Sequence, residues 1–365
     1  MELVFDGHND VLLRLWSEEQ AGADAIEGFL ATGGRRPQGH LDAVRARAGG
    51  LAGGLCAIYV PSGELVLAEP DAAGHYATPL AEPLERQPSL DIALAMASIA
   101  LRIARAGGWE LCRSGAEIDR AIAAGRFAAV LHLEGCEPIG PDLAALDVLH
   151  AAGLRSLGPV WSRHNIFGHG VPFAYPSGPD TGPGLTAAGK DLVRACNRLG
   201  ILIDLAHITE QGFWDVAALS DQPLVASHSN VHAITPVARN LTDRQLDAIA
   251  ERGGLVGLNF AVTMLRPDGH RDGNTPLSDM VRHIDHLVAL LGIDGVALGS
   301  DFDGALIPDA IGDAAGLPRL VEALRAAGYN GADLTKICRG NWLRVLRQAW
   351  GEAPAAEATD RQTAA

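Results

Sequence analysis

The chain has 365 residues, 48% of them hydrophobic and 20% charged, which supplies material for a large buried core and argues against a disordered chain. With 29 Lys plus Arg against 44 Asp plus Glu the formal net charge is −15, and no Lys/Arg cluster offers the counterion-releasing stripe that nucleic acid or an anionic membrane surface requires as a partner. The opening residues lack a basic region followed by an apolar stretch, and nowhere do about 18 apolar residues run uninterrupted, so the expectation is a soluble cytoplasmic protein.

Along the chain, short apolar runs with β-branched content alternate with longer stretches of helical spacing, the pattern of a parallel sheet covered by helices. The runs are Leu3–Phe5, Gly54–Val60, Phe127–Leu133, Ser156–Trp161, Ile201–Leu205, Leu224–Ser227, Leu255–Phe260 and Gly295–Gly299. Helical spacing fills Leu90–Arg105, Ala116–Ala124, Leu143–Ala152, Ala187–Leu199, Thr209–Ala218, Thr242–Glu251 and Leu277–Leu291. Such strand–helix units predict an α/β fold: a single (β/α)8 TIM-like barrel over residues 1–352, with room for distortion. Two segments exceed a minimal barrel, Ala21–Gly50 and the proline-rich Pro61–Leu90; both are read as long βα insertions, either overhanging the site or plain surface loops. The Ala-rich tail, Ala353–Ala365, is expected to fray. Cys56, Cys112, Cys136, Cys196 and Cys338 are scattered and never paired as CxxC, which argues against disulfides and thiolate zinc sites and marks them as buried fillers.

In such a barrel the reacting groups lie at the C-terminal ends of strands, and there metal-capable residues collect. Asp6-Gly-His-Asn-Asp10 places His8 and Asp10 on one side of an extended chain. Val130-Leu-His-Leu-Glu134 ends an apolar strand in a carboxylate that would be costly to bury alone. Ile201-Leu-Ile-Asp-Leu-Ala-His207 and Pro223-Leu-Val-Ala-Ser-His228 end two successive strands in histidine, and Gly295-Val-Ala-Leu-Gly-Ser-Asp301 ends the last one in aspartate. Together His8, Asp10, Glu134, His207, His228 and Asp301 form a sulfur-free nitrogen and oxygen set suited to Zn²⁺ or a similar ion, and too large for one tetrahedral site. Two ions about 3.5–4 Å apart would use it, with a shared carboxylate as bridge and an acidified water as nucleophile. His8 and Asp10 are assigned to one ion, His207 and His228 to the other, Glu134 to both, and Asp301 to the metal centre and the proton shuttle. The only lysines, Lys190 and Lys336, fall where neither could serve as a carboxylated bridge.

These motifs, with Ala238-Arg-Asn-Leu241 and Gly340-Asn-Trp-Leu-Arg-Val345, resemble in order and over nearly the whole chain those of the renal (membrane) dipeptidase family of zinc peptidases. The resemblance implies hydrolysis of dipeptides by a bridged dizinc centre. It further implies that His164 holds the scissile carbonyl or its oxyanion, and that Arg239 binds the substrate's free C-terminal carboxylate. Some relatives accept a D-residue there, so L-Xaa-D-Xaa dipeptides are among the implied substrates, and the resemblance is compatible with a homodimer. The secretion signal and lipid anchor of animal members are absent from this sequence, and Ala261 follows Asn259-Phe260 where animal relatives carry an aromatic. Two other readings stay open: another binuclear hydrolase acting on N-acyl, lactone or phosphoester bonds, and a non-catalytic metal- or peptide-binding barrel. His132 is left between packing and direct site contact. Asp204, Asp303 and Asn165 are expected to orient ligands, and the remaining histidines, His283 among them, to lie mostly on the surface.

Overall fold

The computed structural model describes residues 1–31, 38–63 and 67–352, and every predicted apolar run in it contributes a parallel strand. These are β1 (Val4–Asn9), β2 (Leu51–Tyr59), β3 (Ala128–Glu134), β4 (Leu154–Gly158), β5 (Leu202–Ile203), β6 (Val225–Ala226), β7 (Leu255–Asn259) and β8 (Val296–Gly299). Strands β1 to β5 form one sheet in chain order and β6 to β8 another. Single parallel bridges join the two sheets, Asp204 with Val225 and Asn9 with Phe302, and so close the ring of a (β/α)8 barrel. Backbone bonding at these seams is sparse. Leu205 N–H donates to Val225 C=O at 2.8 Å; across the other seam Asp10 N–H donates to Phe302 C=O at 2.7 Å and Asp301 N–H to His8 C=O at 3.0 Å.

The covering helices fall where helical spacing placed them, for example Arg86–Arg105, Ala187–Leu199 and Leu277–Leu291. Helix Val11–Gln20 has no start signal of its own in the sequence, because it follows β1 without a turn and its first flanking residue, Asp10, makes no side-chain cap. By contrast, Thr242 caps its helix by the reciprocal bonding with Gln245 that a capping box requires. The Ala21–Gly50 segment is not a βα insertion. It contains two further helices, Ala25–Leu30 and Ala43–Gly49, each capped by an aspartate side chain (Asp24 and Asp42), and the second leads directly into β2. Within Pro61–Leu90, whose residues 64–66 lie outside the described ones, the strand Tyr76–Thr78 overhangs the barrel, paired antiparallel with Phe173–Tyr175, of which Phe173 lines the cavity at the strand ends. The tail Ala353–Ala365 lies outside the described residues. Among those residues no helix is long and apolar enough to cross a membrane, and all five cysteines are buried and free.

The lower half of the barrel is filled by inward side chains, Phe5, Leu55, Val130, Leu202, Val225, Leu255 and Ala297, packed with Trp342, Val345 and Leu346 of the last helix, Asn341–Ala349. Asn341 donates to the carbonyls of Ile293 and Val296, and the Trp342 indole N–H to Leu298 C=O at 2.9 Å. Gly7 on β1 makes room for that indole: a Cβ there would lie 2.3 Å from the ring and 2.5 Å from Ser227 C=O. Trp342→Ala removes this plug and leaves its carbonyl partner unpaired. It is expected to cost about 3–5 kcal/mol, read as a lower midpoint in chemical denaturation.

Candidate metal centre

Above the plug the strand ends turn polar. Glu134, the last residue of β3, divides its carboxylate between two groups of side chains. Its Oε2 lies 3.5 Å from His8 Nε2, and its Oε1 lies 3.1 Å from His207 Nε2 and 3.6 Å from His228 Nε2. Asp10 Oδ2 is 3.4 Å from His8 Nε2. Two sets, His8 with Asp10 and Asp301, and His8 with Glu134 and His228, can each offer one ligand atom per residue within 4.8 Å of one another. The structure thus brings all the predicted ligand-type residues to one place.

Local backbone shape serves this convergence. His207 and Asp301 adopt left-handed φ of 67° and 58°, a region non-glycine residues seldom occupy without a functional or packing constraint. Gly304 gives the two carboxylates space: a Cβ there would lie 2.2 Å from Asp10 Oδ2 and 2.5 Å from Asp301 Oδ1. The imidazoles are held from behind. Ser162 Oγ is 2.8 Å from His207 Nδ1, and Ser227 Oγ is 2.7 Å from His228 Nδ1. Ser227 donates its one hydroxyl proton to Asp204 at 2.6 Å, so it accepts from His228 Nδ1–H and leaves the Nε2 lone pair turned toward Glu134. Asn259 donates to Asp301 Oδ2 at 3.0 Å. His132 stands behind the centre, its Nδ1 2.9 Å from Ser156 Oγ and its Nε2 3.6 Å from Asp204, in a supporting position.

The electrostatics are those of a site short of positive charge. Burial drives the Glu134 carboxyl up to about 8, opposed by His8 and reinforced by Asp10 and Asp301. Burial likewise raises Asp301. His207 and His228 are pushed well below the ordinary imidazole value by burial first and by neighbouring cations second, so both rings are neutral and free to ligate. His8 Nδ1, His8 Nε2 and Asp10 Oδ1 are buried without hydrogen-bond partners. Crowded carboxyl groups, the neutral imidazoles of His207 and His228 and orphaned ligand-type atoms at one point fit divalent cations with nitrogen and oxygen ligands. The lysines stand elsewhere, Lys190 beside Asp215 and Lys336 beside Asp294.

The centre opens into a cavity of about 310 Å³ lined by Asp10, Glu134, His207, Asp301 and Arg239, by the aromatic wall Tyr59, Trp161 and Phe173, and by Ala261, Val262, Met264 and Leu306. Pro61, Gly63, Leu67 and Arg271 are also part of the lining. Arg239 is buried, donates to His228 C=O at 3.1 Å, and leaves Nε without a partner. Burial lowers its guanidinium to about 10 against the pull of Asp301 and Glu134. His164 is not among the cavity-lining residues: its ring packs edge-on against His169 at 4.6 Å. Its neighbour Arg163, which no sequence pattern marks, is fully buried behind the aromatic wall. It donates to Glu137 and to Val60 C=O at 2.8 Å each, with its guanidinium 5.4 and 5.3 Å from the centroids of Tyr59 and Trp161. Asp204 holds the Ser227 hydroxyl, which in turn positions the His228 ring. Asp303 instead ties Arg14 and His40 together below Asp301, and Asn165 shapes its own turn.

A sequence model of the family described as membrane dipeptidase (peptidase family M19) matches residues 2–359. A metallo peptidase from Rhodobacter sphaeroides, solved with a phosphinate mimic of the dipeptide L-Ala-D-Ala, is 48% identical and aligns over 96% of this chain and 99% of its own, with a TM-score of 0.90. A second solved structure, described as dipeptidase AC, a metallo peptidase, is 49% identical over the same shares, with a TM-score of 0.89. A curated Klebsiella pneumoniae protein, described as uncharacterised and in the pqqA 5′ region, is 51% identical over 245 residues, 67% of this chain and 90% of its own.

Removing the hydroxyl that fixes the His228 ring, in Ser227→Ala, is expected to weaken divalent-metal binding about 10–100-fold. Competition with a chromophoric chelator measures it, and Ser227→Thr is expected to restore most of the loss.

Proposed function

The chain belongs to the membrane dipeptidase family, peptidase family M19, and on that premise we propose that it is a dizinc exopeptidase acting on dipeptides with a free C-terminal carboxylate, L-Xaa-D-Xaa dipeptides included. The observation that carries this reading is the division of the Glu134 carboxylate, 3.5 Å from His8 on one oxygen and 3.1 Å from His207 on the other. His8 and Asp10 would hold one ion, His207 and His228 the other, and Glu134 both. Two zinc ions held there would supply a hydroxide nucleophile at neutral pH and Lewis-acid polarisation of the scissile carbonyl.

The remaining work falls to the protein. Arg239 sits in the cavity with an unpaired Nε, and its planar donors suit a terminal carboxylate. That placement is what favours a dipeptide over an uncharged ester or lactone. Asp301 is anchored at Oδ2 by Asn259 and at its backbone N–H by His8 C=O. This leaves Oδ1 to take a proton from the attacking water and pass it to the leaving amine. Tyr59, Trp161 and Phe173 shield the reacting groups from bulk water. His164, beside His169 with its buried Nδ1 left without a partner, would hold the scissile carbonyl or its oxyanion. The relative solved with the L-Ala-D-Ala mimic shares 48% of its sequence with this chain, which supports a D-residue at the second position. Buried free thiols suit a reducing compartment and support a cytoplasmic location.

The test is a panel of L,L and L,D dipeptides with C-terminally amidated controls, assayed on zinc-loaded protein whose metal content is determined on the same sample. Two ions per chain and cleavage confined to free acids are the expected result; equal cleavage of the amides would overturn the reading. In the same assay Arg239→Ala is expected to lower kcat/KM about 100-fold or more, the loss that follows when a buried charge pair is truncated. Asp301→Asn is expected to retain metal and lower kcat about 10²–10⁴-fold.

A further inference from the structure

One charged residue of the cavity lining, Arg271, plays no part in the scheme above. It stands on an exposed loop that is nonetheless closely braced. Arg266 pairs with both acidic residues of that loop, Asp268 at 2.6 Å and Asp272 at 3.5 Å. Asp268 also accepts His270 N–H at 3.0 Å, Asp272 accepts Asn274 N–H at 2.9 Å, and Thr275 Oγ1 donates to Asp272 C=O at 2.6 Å. The overhanging ribbon fastens the same loop from above: Tyr175 donates its hydroxyl to Pro267 C=O at 2.9 Å and Tyr76 to Gly269 C=O at 3.1 Å. The loop's two carboxylates are thus engaged by Arg266, whereas no carboxylate among the described residues pairs with Arg271. Inside the cavity, Asp10, Glu134 and Asp301 belong to the metal centre, and the neighbouring lining of Ala261, Val262 and Leu306 is apolar.

We propose that Arg271 is a subsite for a side-chain carboxylate, so that dipeptides containing Asp or Glu are preferred to their Asn or Gln counterparts. The inference rests on the dipeptidase reading and adds a substrate class to it. A dipeptide brings one carboxylate for Arg239, and a second cation in the same cavity gains from a substrate that carries another. A guanidinium can grip a carboxylate with two parallel N–H donors, and the braced backbone means that little ordering is needed on binding. The positive charge also offsets locally the repulsion that a chain of net charge −15 exerts on an anionic substrate. Arg271 is exposed to solvent, so the preference is of the size of a solvent-touched ion pair.

The experiment measures kcat/KM for matched acid and amide dipeptides, Asp against Asn and Glu against Gln, at the first and at the second residue. It compares the wild-type protein, Arg271→Gln and Arg271→Glu, all loaded with zinc. The expected wild-type result is a preference for the acid of about fivefold at one of the two positions, declining with added salt. That position identifies the residue facing the arginine. The preference is expected to vanish in Arg271→Gln and reverse in Arg271→Glu. Each ratio is internal to one protein, so partial unfolding of a variant does not distort it. Ratios that are the same in all three proteins at both positions overturn the inference and leave the dipeptidase reading standing, whereas a wild-type protein that cleaves no dipeptide overturns both.

Discussion

A buried aspartate bonded to a serine just past the end of the neighbouring strand holds each seam of this barrel, and the site depends on both pairs. At one seam Asp6 on β1 accepts the backbone N–H of Ser300 at 2.7 Å and its hydroxyl at 2.8 Å. At the other, Asp204 accepts the backbone N–H of Ser227 at 2.7 Å and its hydroxyl at 2.6 Å. Each serine immediately precedes a site residue, Asp301 or His228, and each aspartate lies two or three positions before another, His8 or His207. The pairs are costly to bury: desolvation lifts the Asp6 carboxyl to about 6 despite the bonds from Ser300 and Asn9. Hydrogen bonds to a charged acceptor, each worth about 1.5–3 kcal/mol, offset that cost where the backbone ladder shrinks to a single bridge. Closing the fold and aligning the metal-type side chains are therefore one event.

Much of this was legible in the sequence, because an apolar strand that ends abruptly in a carboxylate or imidazole has few explanations other than a site at the strand's C-terminal end. The parts that were not legible depend on contacts between distant segments. The overhanging ribbon pairs Tyr76 with Tyr175, and no local signal marks such short strands. His283, expected at the surface, is buried because it accepts Val231 N–H at 3.1 Å and bonds Leu265 C=O at 3.0 Å, bracing the segments that carry Arg239 and Met264. Arg163 carries no signal in the sequence, yet the structure buries its guanidinium against Tyr59 and Trp161, a contact made only once distant segments meet. Left-handed backbone at His207 and Asp301 is likewise invisible in composition.

The two ends of the barrel divide their labour. Apolar side chains and Trp342 fill the lower interior, so stability is concentrated where no chemistry occurs. The upper interior can then tolerate crowded carboxylates, unpartnered polar atoms and strained backbone, each of which would be a liability in a less securely packed barrel. The Gly7 position, one residue before His8, is where these halves meet: the Trp342 indole packs against Gly7 from below, and the next residue of β1 carries the His8 imidazole above.

The seam between Asn9 and Phe302 also sets a timetable. Synthesis runs from the N-terminus, so His8 and Asp10 are made well before Asp301 and the Trp342 plug. Contacts of such sequence separation carry a large loop-closure cost and form late. Glu134 can meet His8 as soon as β3 has joined the sheet, whereas Asp301 can reach β1 only after all the intervening strands have been made. The six side chains therefore converge only once β8 has closed on β1.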